Sequence, residues 1–423
     1  MRHAACGCLL LAAAIGIARA QDADDAALRL ADQTAEAADP GKPERRLSVE
    51  AAGAWAAPRG GGQREQGQRL SLDLAWERAL APGWRFSLAD RLDLLGPDRL
   101  PGERSSVNTL KELFLTGRLG RERIVDIGRV NLRLGVAMGY NPTDYFRELA
   151  VRQVVSVDPA SLRENRQGTV MLRGQQLWQG GSASLLYSPK LGSGPNPGKH
   201  AIDVGATNHR HRWLLSLSQT LATDLQPQLL LYEPGEPHSS LQLGLNLTHL
   251  LSPACVAHAE WSGGRGPDLL ARSHGQPGEG DAFHSQLAAG LTCTTARKLS
   301  LTAEYERNGA ALDDAGWRAL RRGPLAAELA YRQVAAERQD PPTRHNLFLR
   351  AAWQDALWPR LDLSAMLRAN AADDSRQLWA EARYRLDSTD LALQWQGHHG
   401  SQRSEFGALP QRQLWQLLVK HWF

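Results

Sequence analysis

Leu241-Gln242-Leu243-Gly244-Leu245-Asn246-Leu247 alternates apolar with small or polar residues without a break. In an extended strand successive side chains point to opposite faces, so the four leucines share one side and Gln242, Gly244 and Asn246 share the other. A helix would scatter the same residues around its surface. The pattern recurs in both directions along the chain. Leu70, Leu72, Leu74 and Trp76 oppose Ser71, Asp73 and Ala75, and Leu299, Leu301, Ala303 and Tyr305 oppose Ser300, Thr302 and Glu304. Leu391, Leu393 and Trp395 oppose Gln394 and Gln396.

Reading every such segment places strands near 46–57, 67–80, 83–95, 106–119, 121–134, 165–178, 180–190, 209–221, 225–234, 238–251, 253–264, 281–295, 297–307, 344–355, 360–371, 376–386, 388–399 and 411–423. Segments of roughly 9 to 14 residues suit tilted strands that cross a bilayer. The connections alternate between tight turns, such as Leu80-Ala81-Pro82-Gly83 and Ser252-Pro253, and long stretches at 135–164, 191–208, 264–280, 308–343 and 400–410. Short periplasmic turns opposite long extracellular loops are the habit of outer-membrane barrels. An even strand count puts both ends of the barrel on the short-turn side. The stretch 308–343 fits this parity as a loop helix or an intra-loop hairpin.

The expected fold class is therefore all-β, a transmembrane antiparallel β-barrel of about 18 strands. Its expected divisions are a signal peptide at 1–20, a periplasmic lead-in at 21–45 and the barrel at 46–423. Met1-Arg2-His3, the apolar run through Leu9 to Ile15 and the small residues Ala18-Arg19-Ala20 carry the order of a secretory signal. Beyond residue 20 no window approaches the roughly 18 to 20 apolar residues that a spanning helix needs. The net charge of +4 is carried mostly by arginines that alternate with apolar residues instead of clustering, which argues against a nucleic-acid surface.

The competing reading is a large soluble all-β protein, such as a propeller, sandwich or solenoid. Trp84, Trp178, Trp213, Trp353, Tyr384 and Trp422 stand near strand ends, as an interfacial girdle requires. Strand arginines would be costly in a dry core and are hydrated in an aqueous lumen. The last segment ends Trp415-Gln416-Leu417-Leu418-Val419-Lys420-His421-Trp422-Phe423, and Trp415, Leu417, Val419 and Phe423 share a face. It resembles the C-terminal strand by which outer-membrane proteins are recognised for assembly, with His421 where that pattern more often has an apolar or aromatic residue.

Asp126-Ile127-Gly128-Arg129 leading to Gly139-Tyr140-Asn141-Pro142-Thr143-Asp144-Tyr145-Phe146, together with Leu162-Arg163-Glu164-Asn165-Arg166-Gln167-Gly168, resembles the outer-membrane porin families related to alginate-export channels. The resemblance implies a monomeric barrel with an Arg-bearing lumen and identifies no ligand.

The function read from these residues is an outer-membrane channel, of porin or export type, for small or anionic polar solutes, including acidic saccharides. Arg129, Arg133, Arg173, Arg212 and Arg350 are expected to line it, with Arg368, Arg383 and Arg385. Glu304, Asp362 and Glu381 are their expected partial partners. Cationic rings favour anions, whereas cross-lumen pairing would only stiffen the wall. The loop 135–164 is the candidate constriction through Asn141, Asp144, Arg147, Arg163, Glu164 and Arg166, provided that it folds inward.

The alternatives are a non-conducting structural or assembly barrel and a membrane-embedded hydrolase. For the latter His258, His284 and Ser285 are the candidate types, but no enzymatic activity is expected. His209-Arg210-His211 has no evident carboxylate partner, and His398-His399 reads as part of an exterior loop, so no metal or other cofactor is expected. Residues 21–45 are too few for a plug domain. Cys255 and Cys293 fall on the apolar phase of adjacent strands near the short-turn end, where a disulfide is permitted. The expected partners are outer-membrane lipid, lipopolysaccharide and the barrel-assembly machinery.

Overall fold

A computed structural model describes residues 45–61, 64–96, 105–196, 198, 201–222, 225–275 and 281–423. The expected signal peptide and, apart from Arg45, the expected lead-in lie outside the described residues. The strands are β1 Arg45–Pro58, β2 Glu65–Ala81, β3 Trp84–Gly96, β4 Ser106–Arg118, β5 Arg123–Val130, β6 Thr169–Trp178, β7 Gly181–Ser188, β8 Arg212–Gln219 and β9 Leu225–Glu233. They continue as β10 Gln242–Ser252, β11 Cys255–Gly266, β12 Ala282–Thr294, β13 Leu299–Asn308, β14 His345–Trp353, β15 Leu361–Asn370, β16 Arg376–Arg385, β17 Thr389–His399 and β18 Gln411–Trp422. Helices α1 Pro159–Glu164, α2 Val204–Thr207, α3 Leu269–Ser273, α4 Asp314–Arg322 and α5 Leu325–Arg338 all lie in connections on the long-loop side. No described helix is long and apolar enough to cross a membrane.

Each strand pairs antiparallel with the next, and β18 returns to β1 over a register from Ser48↔Trp422 to Trp55↔Trp415, so the 18-stranded sheet is closed. Closure satisfies the backbone donors and acceptors that an open edge would leave unpaired. All the strands anticipated from period two are present. The largest departure is at β5 and β6, where 131–134 and 165–168 leave the wall. The Arg163 guanidinium donates to Leu134 O at 2.9 Å, and Arg166 donates to Leu132 O at 2.6 Å. The chain has exchanged ladder hydrogen bonds for side-chain ones and turned inward.

Polarity is inverted relative to a soluble protein. Leu215, Leu217, Leu393, Leu417 and Val419 are among the exposed large apolar residues of the outer face. Glu260, Glu304, Asn246 and Arg212, on the other phase, are buried. Trp84, Trp178, Trp353, Tyr384 and Trp422 sit at the short-turn ends of their strands, whereas Trp213 sits at the long-loop end of β8. There Trp213 packs 4.3 Å from Tyr187, centroid to centroid. Trp415, Leu417, Val419 and Phe423 are exposed on the outer face. Cys255 and Cys293 are direct cross-strand partners joined by a disulfide.

The stretch 309–344 resolves the choice left open between helix and hairpin. It holds α4 and α5, packed through Trp317, Tyr331, Ala311, Ala335 and Leu269 into a small core at the long-loop end. Trp317 Nε1 donates to Asp373 Oδ2 at 2.8 Å, and Arg332 donates to the carbonyls of Arg403 and Ser404, so this cap is tied to two neighbouring connections.

The inverted faces predict different costs for neighbouring substitutions on β8. Leu215→Arg should destabilise folding into lipid vesicles by about 2–4 kcal/mol, while Ser216→Arg on the lumen side should change it little, as read by equilibrium urea unfolding.

Candidate functional site: the lumen and its crossing loop

Residues 131–168 enter the barrel and are anchored on both sides of it. On β11 the Glu260 carboxylate accepts from the backbone nitrogens of Val136 (2.9 Å), Ala137 (3.1 Å) and Thr143 (2.7 Å), and from Thr143 Oγ1 (2.9 Å). On β13 Glu304 accepts from the nitrogens of Met138 and Gly139, both at 2.7 Å, and from His258 Nε2 at 2.8 Å. Farther along the loop, Arg69 of β2 donates to Val155 O at 3.3 Å. β2 and β11 are nine places apart in a ring of 18, so the loop spans the diameter.

Two glycines make the close approach possible. Gly135 has φ +91°, and a Cβ there would lie 2.5 Å from a Glu260 oxygen. At Gly139 a Cβ would meet Glu306 Oε1 at 2.2 Å and the Phe348 ring at 2.6 Å. Neither position has room for a side chain, and the first has a backbone that L residues rarely adopt.

The expected constriction residues divide into two groups. Asp144 and Arg166 pair at 2.7 Å, both 2 % exposed, and lock the loop to itself. Asn141 donates to Glu260, Arg163 caps Leu134 O, and Arg147 pairs with Asp340 at 2.5 Å. These five therefore hold the loop's shape, whereas Glu164 and the preceding Arg133 are exposed.

The expected lumen arginines are mostly partnered. Arg173 meets Asp126 at 2.7 Å, Arg350 meets Asp158 at 3.4 Å, and Arg383 holds Glu381 at 2.9 and 3.0 Å. Arg385 bridges Asp362 and Asp355, each at 2.8 Å. Arg368 donates to Gly139 O and lies near the Phe348 ring. Arg129, 2 % exposed, reaches Leu110 O, and Arg212, fully enclosed, donates to Thr207 O and lies over the Phe146 ring at 4.6 Å. Arg129 and Arg212 thus sit enclosed in protein, because the inserted loop covers the wall where they stand.

Several polar groups were not singled out from sequence. Arg69, Arg91 and Lys111 interleave with Glu50, Asp73 and Asp93 on β1 to β4: Arg69–Glu50 is 2.5 Å, Arg91–Asp93 3.0 Å and Lys111–Asp73 2.7 Å. Three cations meet three anions there, so the formal charges cancel. Arg69–Glu50 and Lys111–Asp73 join different strands and are recognisable only once the register is known, whereas Arg91 and Asp93 are two residues apart on β3 and so share a face. Glu260, the main anchor, was missed because its partners are more than 100 residues away in sequence.

At the long-loop end, Arg147, Arg210, Arg272 and Arg338 interlock with Glu148, Glu236 and Asp340, joining five connections. Burial opposes ionisation of Glu148, but the Arg338 and Arg210 guanidiniums hold its carboxyl down to about 2.

The histidine readings change with the fold. His209 has Glu148 at 3.8 Å, the carboxylate not evident from sequence. His398 is the penultimate residue of β17, before His399, and is buried, donating through Nδ1 to Gln411 O at 2.7 Å, so it is not a solvated loop residue. The two ring nitrogens of His284 face backbone carbonyls of Gly309 and Gly266, while Ser285 Oγ accepts from Trp261 Nε1. Adjacent strand residues point oppositely, which separates that serine from the lumen histidines. No group of three or more His, Cys, Asp or Glu side chains suited to a metal occurs among the described residues.

Removing the Glu260 carboxylate would orphan several buried donors, each costing about 1–3 kcal/mol. Glu260→Ala should therefore free residues 136–143 to proteolysis in the folded barrel, whereas Glu164→Ala should not. Limited proteolysis followed by mass spectrometry checks this.

No family model matches the sequence, and no curated protein matches it. Solved structures do match in fold. A BenF-like porin from Pseudomonas fluorescens Pf-5 superposes with a TM-score of 0.56 at 10 % identity, covering 90 % of this chain and 98 % of its own. OccAB1 of Acinetobacter baumannii gives 0.53 at 9 % identity, with 90 % and 96 % covered. OccD3 (OpdP) of Pseudomonas aeruginosa gives 0.50 at 13 % identity, with 90 % and 91 % covered. These are porins of other kinds than the alginate-export channels that the sequence motifs resemble. The chain shares with them the closed barrel of outer-membrane porins.

Proposed function

We propose that the protein is a passive outer-membrane channel for small polar solutes. The observation that carries this reading is the anchored loop: it crosses the lumen and narrows the barrel without filling it, leaving an opening of about 320 Å³ between its tip at 153–157 and the wall of β1, β2 and β16 to β18. A barrel of this strand number encloses an aqueous passage unless loops occupy it. The exposed apolar outer face suits phospholipid and the acyl chains of lipopolysaccharide, and the C-terminal strand suits recognition by the assembly machinery. The chain works as a monomer in this reading, and passage involves no catalytic step.

The expectation of anion preference weakens once the arginines are placed, because paired charges leave little net field for selecting ions. A second reading, a non-conducting barrel, is favoured by the helical cap of 309–344 and by the Arg–carboxylate network that fastens the long loops together.

Planar-bilayer recordings of the refolded protein separate the two. The channel reading predicts stable openings with a reversal potential near zero under a salt gradient. A strongly anion-selective current would restore the cationic lumen, and a folded but silent barrel would favour the capped, non-conducting reading.

A further inference from the structure

We propose that the opening beside the loop tip is a subsite for an uncharged, oxygen-bearing solute about the size of one sugar ring. The inference deepens the channel reading and rests on it for the solute's access. The opening's volume, about 320 Å³, matches the lower end of small-molecule sites, roughly 300 Å³. One side is apolar: Val154 and Val157 come from the loop tip, and Val154 is 56 % exposed although it faces an otherwise polar lumen. The opposite side carries the amides of Gln394 and Gln416, which donate and accept without bringing charge.

One buried donor on this lining is unspent. Trp379 Nε1 has no hydrogen-bond acceptor and its residue is only 4 % exposed, whereas Arg69 Nε lies 3.9 Å from Asp93 Oδ1. Buried polar groups ordinarily find partners, so the orphaned indole N–H beside the opening marks where an acceptor oxygen fits. The ligand's charge follows from Arg69, the one charged side chain among the described lining residues. Its Nη2 is already 2.5 Å from Glu50 Oε1, and its Nη1 donates to Val155 O. A carboxylate would have to compete with Glu50 and Asp93 for it, whereas a hydroxyl, ether or carbonyl oxygen needs only the indole N–H. A pyranose presents such oxygens on its edge and C–H groups on its face, which matches the valine side.

Equilibrium dialysis of labelled D-glucose against the full chain folded in detergent tests the subsite without requiring a current, and D-glucuronate, which keeps the pyranose ring, serves as the charged analogue. Saturable glucose binding is expected, with glucuronate roughly tenfold weaker or more. Trp379→Phe keeps the ring and removes the donor, and should weaken glucose roughly tenfold. Val154→Trp, at an exposed loop position, should fill the opening and abolish binding while the barrel stays folded. Absence of saturable glucose binding, equal binding of glucuronate, or an unchanged affinity in Trp379→Phe would overturn the proposal. Bilayer recordings keep the two readings separate: saturable binding to a silent barrel rejects the channel and keeps the subsite, and currents without binding do the reverse.

Discussion

Everything in this structure depends on the sheet closing on itself. β18 lies between β17 and β1, and the hydrogen bond from Phe423 N to Leu47 O at 3.0 Å extends that closure to the chain's last residue. Without it, two strands would each present an unpaired row of backbone groups to an apolar surrounding, where every such group costs free energy. Closure also separates the two phases of the alternating pattern. Leucines and aromatic residues go to the outside, and carboxylates, amides and guanidiniums go to a shared interior. The tryptophan row Trp55, Trp415 and Trp395 lies directly across the seam, so the closing strands are continuous with the rest of the outer surface.

The interior then becomes the place where polar groups must satisfy one another, and the crossing loop is the result. Its backbone nitrogens between Val136 and Thr143 would be unpartnered inside the barrel, the Glu260 carboxylate takes its hydrogen bonds from the loop, and Glu304 adds the loop's donors to His258 of the wall. Each side solves the other's problem. A loop held by two buried carboxylates and by Arg69 has little freedom to move, which gives the opening beside Val154 a defined shape. The same logic explains why the arginines, prominent in the sequence, do not form a free cationic ring. Carboxylates hold Arg173, Arg350, Arg383 and Arg385, and backbone carbonyls hold Arg129, Arg212 and Arg368.

The barrel was largely legible in the sequence because its determinant is local. Period two in Leu70–Trp76 or Leu299–Tyr305 needs no knowledge of distant residues, and the alternation of short turns with long loops sets the strand parity. What could not be read depends on which wall positions meet across the lumen. Thr143 and Glu260 are 117 residues apart, and Arg350 and Asp158 are 192 apart. Such pairs come together only through ring geometry. The strand ends at Val130 and Thr169 were overrun for a related reason: 131–134 keep a strand-like composition, but Arg163 and Arg166 take over their carbonyls. Val154, Trp379 and Gln416 belong to three separate segments, so nothing local marks them as lining one opening. The helices of 309–344 were ambiguous because a short apolar run such as Leu325–Tyr331 suits either helix or strand until its surroundings are known.

The central claim is that passage occurs between the loop tip and the wall built by β1 and β18. Gln416→Cys, made with Cys6→Ser and Cys8→Ser and treated with a small negatively charged thiol reagent during bilayer recording, tests this most directly, since the disulfide occupies Cys255 and Cys293. The account predicts a stepwise fall in single-channel current as each channel is modified. Complete modification by mass spectrometry with an unchanged current would show that the path runs elsewhere and would contradict it.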